Sequence, residues 1–156
     1  MIIQMWEGMG LQVIDEVVPI FPFCSYADFP DCYCGAGEGI WQRAVPDYVY
    51  GLTRILPSPL NISIKISPAC WLHDKDFEHA PPTWDAFHAA NSRLFANTKA
   101  IIDKQSEGYP DVLRKHAMRY PDIYSQSVDA LGRVVFWRLK SEQGHAIPGS
   151  AAWLLK

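Results

Sequence analysis

The chain has 156 residues and a net charge of −3; nearly half of it is hydrophobic and a fifth charged. That balance fits one domain, residues 1–156, large enough to bury a core, and it offers no basic run to meet nucleic-acid phosphates. Glu7, Asp15 and Glu16 interrupt the apolar start, and no other window is long and apolar enough for a bilayer, so neither a secretory signal nor a transmembrane helix is expected. Use without Sec export, export by other means and a processed chain all stay open.

In chain order, residues 1–20 alternate imperfectly, with Leu11, Val13, Val17 and Val18 as the expected buried set; the period does not choose between strand and short helix. Residues 19–31 place Pro19, Pro22 and Pro30 among aromatics and read as an irregular packed segment. Asp31 to Gly39, DCYCGAGEG, carries glycines at alternate positions 35, 37 and 39. Glycines so spaced let carbonyls and amides turn inward around a small ion; a tight surface turn is the plainer alternative.

Residues 48–66 predict a hairpin. Tyr48, Tyr50 and Leu52 alternate, Pro57-Ser58-Pro59 turns, and Leu60, Ile62, Ile64 and Ile66 alternate with polar residues. A helix follows, with Ser67 as N-cap and Pro68 as first helical residue, running to about His79. Residues three and four apart share a helix face, so Cys70, His73, Asp74 and Phe77 form one stripe. Histidine titrates nearest neutral pH and aspartate offers a hard oxygen ligand; a chance His-Asp pair is the plainer reading.

Pro81-Pro82 ends that helix, and Thr83 caps a second running from Trp84 to about Asp103. A loop over Ser106 to Pro110 leads to a helix over 111–120. Another short helix starts at Pro121 and ends at Leu131, with Gly132 as its stop and Val134 to Trp137 as an apolar patch beyond. The short link between the first two helices makes them antiparallel neighbours. His73 then lies about 9 Å from the end of one and Asn91 about 10 Å from the start of the other, so the two face each other. Trp84, Phe87, Asn91, Leu94, Thr98 and Ile101 form the second helix's inward stripe, and the buried amide of Asn91 needs a partner that the His73 ring can supply.

These stretches resemble the phospholipase A2 superfamily. Its calcium loop reads approximately Y-C-G-x-G-G, matched by Tyr33-Cys34-Gly35-Ala36-Gly37, and its catalytic helix C-C-x-x-H-D-x-C-Y is followed by residues 69–77 at Cys70, His73 and Asp74. Short, often phage-encoded members are nearer still. They carry C-G-A-G, a V-P-D segment (Val45-Pro46-Asp47), A-C-x-x-H-D, and a helix similar to A-D-R-x-F-x-x-N, here Ala90 to Asn97. The likeness spans roughly residues 31–137. It implies a mainly α fold with two antiparallel core helices, a calcium loop and a small β-hairpin, and a phospholipid or membrane surface as partner. A phage-encoded chain would be made in a bacterial cytoplasm.

Carried over by residue, the carbonyls of Tyr33, Gly35 and Gly37 and the Asp74 carboxylate would hold Ca²⁺, an all-oxygen set suited to that ion. His73 would be the general base, and calcium with the Gly35 amide would stabilise the oxyanion. The resemblance also implies a Cys34–Cys70 disulfide, leaving Cys24 and Cys32 as a further pair. Three positions depart from the pattern. Glu38 replaces a loop glycine. Phe77 replaces a supporting tyrosine, a role open to Tyr120 or Tyr124. Asn91 stands where the family has the aspartate that orients the histidine. The expectation is calcium-dependent hydrolysis of a phospholipid acyl ester, attenuated at Asn91; the alternative is a binding or structural protein on the same fold.

Overall fold

The computed structural model describes residues 9–12, 26, 48–50 and 63–156. The loop over 31–39, the Pro57–Pro59 turn, and Val13, Val17, Val18, Cys24, Cys32 and Cys34 lie outside them. The described residues are mainly helical, with one two-stranded ribbon.

The alternation expected of Ile64 and Ile66 is kept, but on the first strand the residue seen buried is Val49, not a member of the expected set Tyr48, Tyr50 and Leu52. Strand β1 (Tyr48–Tyr50) pairs antiparallel with β2 (Ser63–Lys65), Val49 opposite Ile64. Both of these are buried, as is Ile66 just beyond, while Ser63 is exposed. The chain turns from β2 directly into helix α1 (Ser67–His79). Here the expected cap is corrected: Ile66, not Ser67, occupies the cap position, and no side chain closes the helix start. The buried Ile66 fixes where the first turn begins, and its carbonyl receives the amides of Ala69 and Cys70 at 2.9 and 3.3 Å. Pro68 sits in that first turn, where its missing N–H costs no helical bond.

Helix α2 (Trp84–Gln105) starts as its sequence dictates. Thr83 is extended, and its Oγ1 accepts from the Ala86 amide at 3.2 Å. The helix ends in a turn containing Gly108, whose φ of +87° suits glycine. Its buried face is the expected stripe, Phe87, Asn91, Leu94, Thr98 and Ile101, widened by Ala90, Asn97 and Ile102; Trp84 is half-buried. Asn97 serves a further purpose. Its Oδ1 accepts from the Gln12 amide at 2.6 Å and its Nδ2 donates to the Gln12 carbonyl at 2.9 Å, bridging 85 positions of sequence.

Helix α3 covers Asp111–Ala117, shorter than expected because residues 118–119 turn the chain. Helix α4 runs over Tyr120–Glu142, and this is the main correction to the sequence reading: Gly132 does not stop it. A Cβ at Gly132 would lie 3.6 Å from Phe77 Cζ and 3.2 Å from Val128 Cγ1, so this glycine lets α4 lie close against α1. The patch around Phe136 and Trp137 is therefore the inward face of one long helix. A short α5 (Gly149–Ala152) and a 3₁₀ turn (Trp153–Leu155) follow, with Ala151 buried and Trp84 Nε1 donating to Ser150 Oγ at 3.0 Å.

The pairs Phe77–Phe87 and His73–Asn91 show α1 and α2 running antiparallel. Asn91–Asp129 and Trp84–Trp137 show the same of α2 and α4. Buried apolar side chains fall into two groups. One gathers Val49, Ile64, Leu72, Leu94, Ile101 and Tyr124 about the ribbon; the other gathers Phe77, Phe87, Ala90, Phe136, Trp137 and Ala151. Between their levels on the three helices lie the polar residues described next.

Candidate active site

His73 and Asn91 meet. Nε2 of His73 lies 2.9 Å from Oδ1 of Asn91, and both residues are buried. The amide nitrogen of Asn91 donates to Oδ1 of Asp129 on α4 at 3.2 Å. With the amide so turned, its oxygen faces the imidazole and the shared proton belongs to Nε2. Nδ1 keeps its lone pair. The Phe77 ring lies 4.1 Å from the His73 ring, centre to centre, tilted by 51°. It fills the space beside the imidazole with apolar surface, where the resemblance leads one to expect a hydroxyl.

Burial lowers the His73 pKa to about 4; the Asn91 hydrogen bond acts the other way, and the Arg93 charge adds to the lowering. The ring is therefore neutral at pH 7, the state in which it can accept a proton. Asp74, the next residue, has an exposed side chain, yet the protein crowded about it raises its pKa to about 7, with Lys75 opposing. No hydrogen-bond donor among the described residues reaches its carboxylate. A carboxylate without donors can take a cation, and calcium is the one the resemblance leads one to expect there. The other expected ligands, Tyr33, Gly35 and Gly37, and the Gly35 amide lie outside the described residues. Among the described residues no cluster of three or more His, Cys, Asp or Glu could hold a metal.

Cys70, one turn before Asp74, is disulfide-bonded. The chain's other cysteines lie outside the described residues, and the expected pairing with Cys34 falls there. Of the two tyrosines considered as substitutes for the missing hydroxyl, Tyr124 is buried in the ribbon-side group, and Tyr120 packs edge-on to His116 with ring centres 6.1 Å apart.

Three residues escaped the sequence reading. Asp76, buried three positions past His73, accepts from Arg93 Nε on α2 at 2.7 Å. Burial raises its pKa, while the Arg93 bond and charge pull it down. Asp129 lies inside the helix expected over 121–131, but a helix so short does not reveal which face packs inward. A helix continued to Glu142 places Val128, Gly132 and Phe136 on one face, with Asp129 at its edge. Lys140, fully buried, donates from Nζ to the Glu78 carbonyl at 3.0 Å and to Gln143 Oε1 at 2.9 Å, satisfying the end of α1.

Compared with protein-family models, with curated proteins and with solved structures, the chain matches none. No helix of the described residues is long and apolar enough to cross a membrane.

Proposed function

We propose that this chain is a phospholipase A2-like esterase that hydrolyses a phospholipid acyl ester with calcium, His73 acting as general base. The observation that carries this reading is the 2.9 Å contact between His73 and Asn91, which holds a neutral imidazole by one nitrogen beside the Asp74 carboxylate, itself without a hydrogen-bond donor among the described residues. Nδ1 of His73 takes a proton from water as the water oxygen bonds to the ester carbonyl carbon. Positive charge then grows on the ring, and the Asn91 oxygen, accepting from Nε2, stabilises it. When the carbon–oxygen ester bond breaks, His73 returns the proton to the departing alkoxide. Calcium, held by Asp74 with the carbonyls of Tyr33, Gly35 and Gly37, would supply positive charge for the carbonyl oxygen.

A second reading rests on Asn91 itself. An amide orients the ring but cannot balance an imidazolium with charge, so the same arrangement serves a binding protein on this fold whose hydrolysis is weak or lost.

Two measurements on purified protein decide between them. Wild type should release fatty acid from phospholipid vesicles only with calcium, and His73→Ala should lower that release by about 10²–10⁴-fold, the usual worth of a positioned base. Calcium should raise the melting temperature of wild type and of His73→Ala but not of Asp74→Asn, since a ligand that binds only the folded state stabilises it. No calcium-dependent release by wild type from any phospholipid rejects the enzyme in favour of the binding protein. An unchanged calcium shift in Asp74→Asn rejects the metal assignment.

A further inference from the structure

We infer that Asp129 is a positioning residue: its carboxylate turns the Asn91 amide so that the amide oxygen faces His73, and thereby sets which imidazole nitrogen carries the proton. The inference rests on the reading of His73 as base, but its structural half stands apart from any activity.

The amide of Asn91 can lie in two orientations related by a half-turn, and the two give opposite results at the ring. With the observed orientation, Nδ2 donates to Asp129 Oδ1 at 3.2 Å and Oδ1 receives the His73 Nε2 proton at 2.9 Å. In the reverse orientation, Oδ1 would face the Asp129 carboxylate, acceptor against acceptor, and Nδ2 would face the ring. His73 could then only accept at Nε2, its proton would move to Nδ1, and the nitrogen needed as base would be blocked. A carboxylate oxygen accepts, so the reverse orientation loses a hydrogen bond and gains a repulsion.

Asp129 is itself held. Its backbone carbonyl accepts from Arg133 Nε at 3.1 Å, and Nδ1 of His88 lies 3.4 Å from the same carboxylate oxygen that Asn91 reaches. The side chains of Asp129 and His88 are about half exposed, 47% and 59%, so water shares the carboxylate and the bias is moderate. Asp129 touches no reacting atom; it acts through Asn91. The carboxylate that the family pattern places against the histidine thus stands one residue further out.

The test reads the tautomer directly, from the imidazole ¹⁵N shifts of His73 in uniformly labelled protein at neutral pH. Wild type should show Nε2 protonated and Nδ1 bare. Asp129→Ala, a half-exposed change that favours the helix and so should fold, should give a mixture in which the Nδ1-protonated form is plainly present. Asp129→Asn can still present an oxygen to the Asn91 amide and should return most of the wild-type pattern. If turnover is measurable, Asp129→Ala should lower kcat roughly five- to tenfold, the worth of one half-solvated charge-assisted hydrogen bond, with KM unchanged. A His73 spectrum identical in wild type and Asp129→Ala overturns the inference even if the enzyme is active. A shifted tautomer in a protein without turnover upholds the orienting role while rejecting the enzyme.

Discussion

Two levels of the same three helices are built in opposite ways. At one, Phe77, Phe87, Phe136 and Trp137 pack with ring centres 5.0 to 5.8 Å apart along the contacts Phe77–Phe87, Phe77–Phe136, Phe87–Phe136 and Phe136–Trp137. About one turn away, His73, Asn91 and Asp129 form a chain of single hydrogen bonds, with Asp76 and Arg93 paired alongside. Aromatic pairs have preferred ring geometries, but their burial is shared among many contacts, so no single contact is indispensable to how the helices lie. The polar chain has no such redundancy, since each group has a named partner and a defined donor. Stability should therefore reside mainly at the first level and chemistry at the second, the second borrowing its geometry from the first.

The largest expected effect is at the aromatic level. Phe136→Ala removes a fully buried ring and should lower unfolding stability by about 4 kcal/mol, read from urea denaturation. Turnover per folded molecule should fall far less than stability; the opposite pattern breaks the division. Next is Arg93→Ala, which leaves Asp76 buried without its partner. Arg93 is itself partly exposed, so the cost should be about 3 kcal/mol, at the lower end for a broken buried pair. Asp76→Asn should cost less, because the charge then left unpaired is that of Arg93, which reaches water.

The third concerns rate. Asn91→Asp would restore the carboxylate of the family pattern, but it would stand about where Nδ2 now meets Asp129, 3.2 Å from that carboxylate. Like charges so close oppose joint ionisation. Turnover should gain little from Asn91→Asp alone and about tenfold when it is combined with Asp129→Asn, roughly one charge-assisted hydrogen bond. Equal rates for the single and double variants would show that Asp129 does not compete. The smallest effect is expected at Gly132→Ala. Helix propensity gains nearly 1 kcal/mol, but Val128 Cγ1 must yield at 3.2 Å and valine is stiff, so thermal unfolding should shift little in either direction.

Much of this arrangement was legible from local signals. The Thr83 cap, the Pro81-Pro82 break and the inward stripe of α2 depend on residues close in sequence, and they placed Asn91 opposite His73. The reading failed where tertiary packing overrules local preference. Gly132 carries a breaker's signal, yet it is retained inside α4 because Phe77 lies against it. Ending the helix at that glycine cut off Phe136 and Trp137, which mark its inward face, and so left nothing to point Asp129 toward Asn91. Ser67 failed for a related reason: the burial of Ile66, set by β2, decides where α1 begins. The loop read as a calcium site lies outside the described residues, and of the expected calcium ligands Asp74 alone lies within them.

The paired bonds of Asn97 to Gln12 give the side chain the work of a neighbouring strand, offering one donor and one acceptor to a single residue's backbone. Gln12 leaves the ribosome long before Asn97, so its mate does not exist when it first appears. Early in synthesis the Gln12 backbone must bond water instead, and it can meet Asn97 only after α2 has been made and wound. Gln12 is thus made well before its partner, and its arrival on α2 should mark one of the closing events of folding.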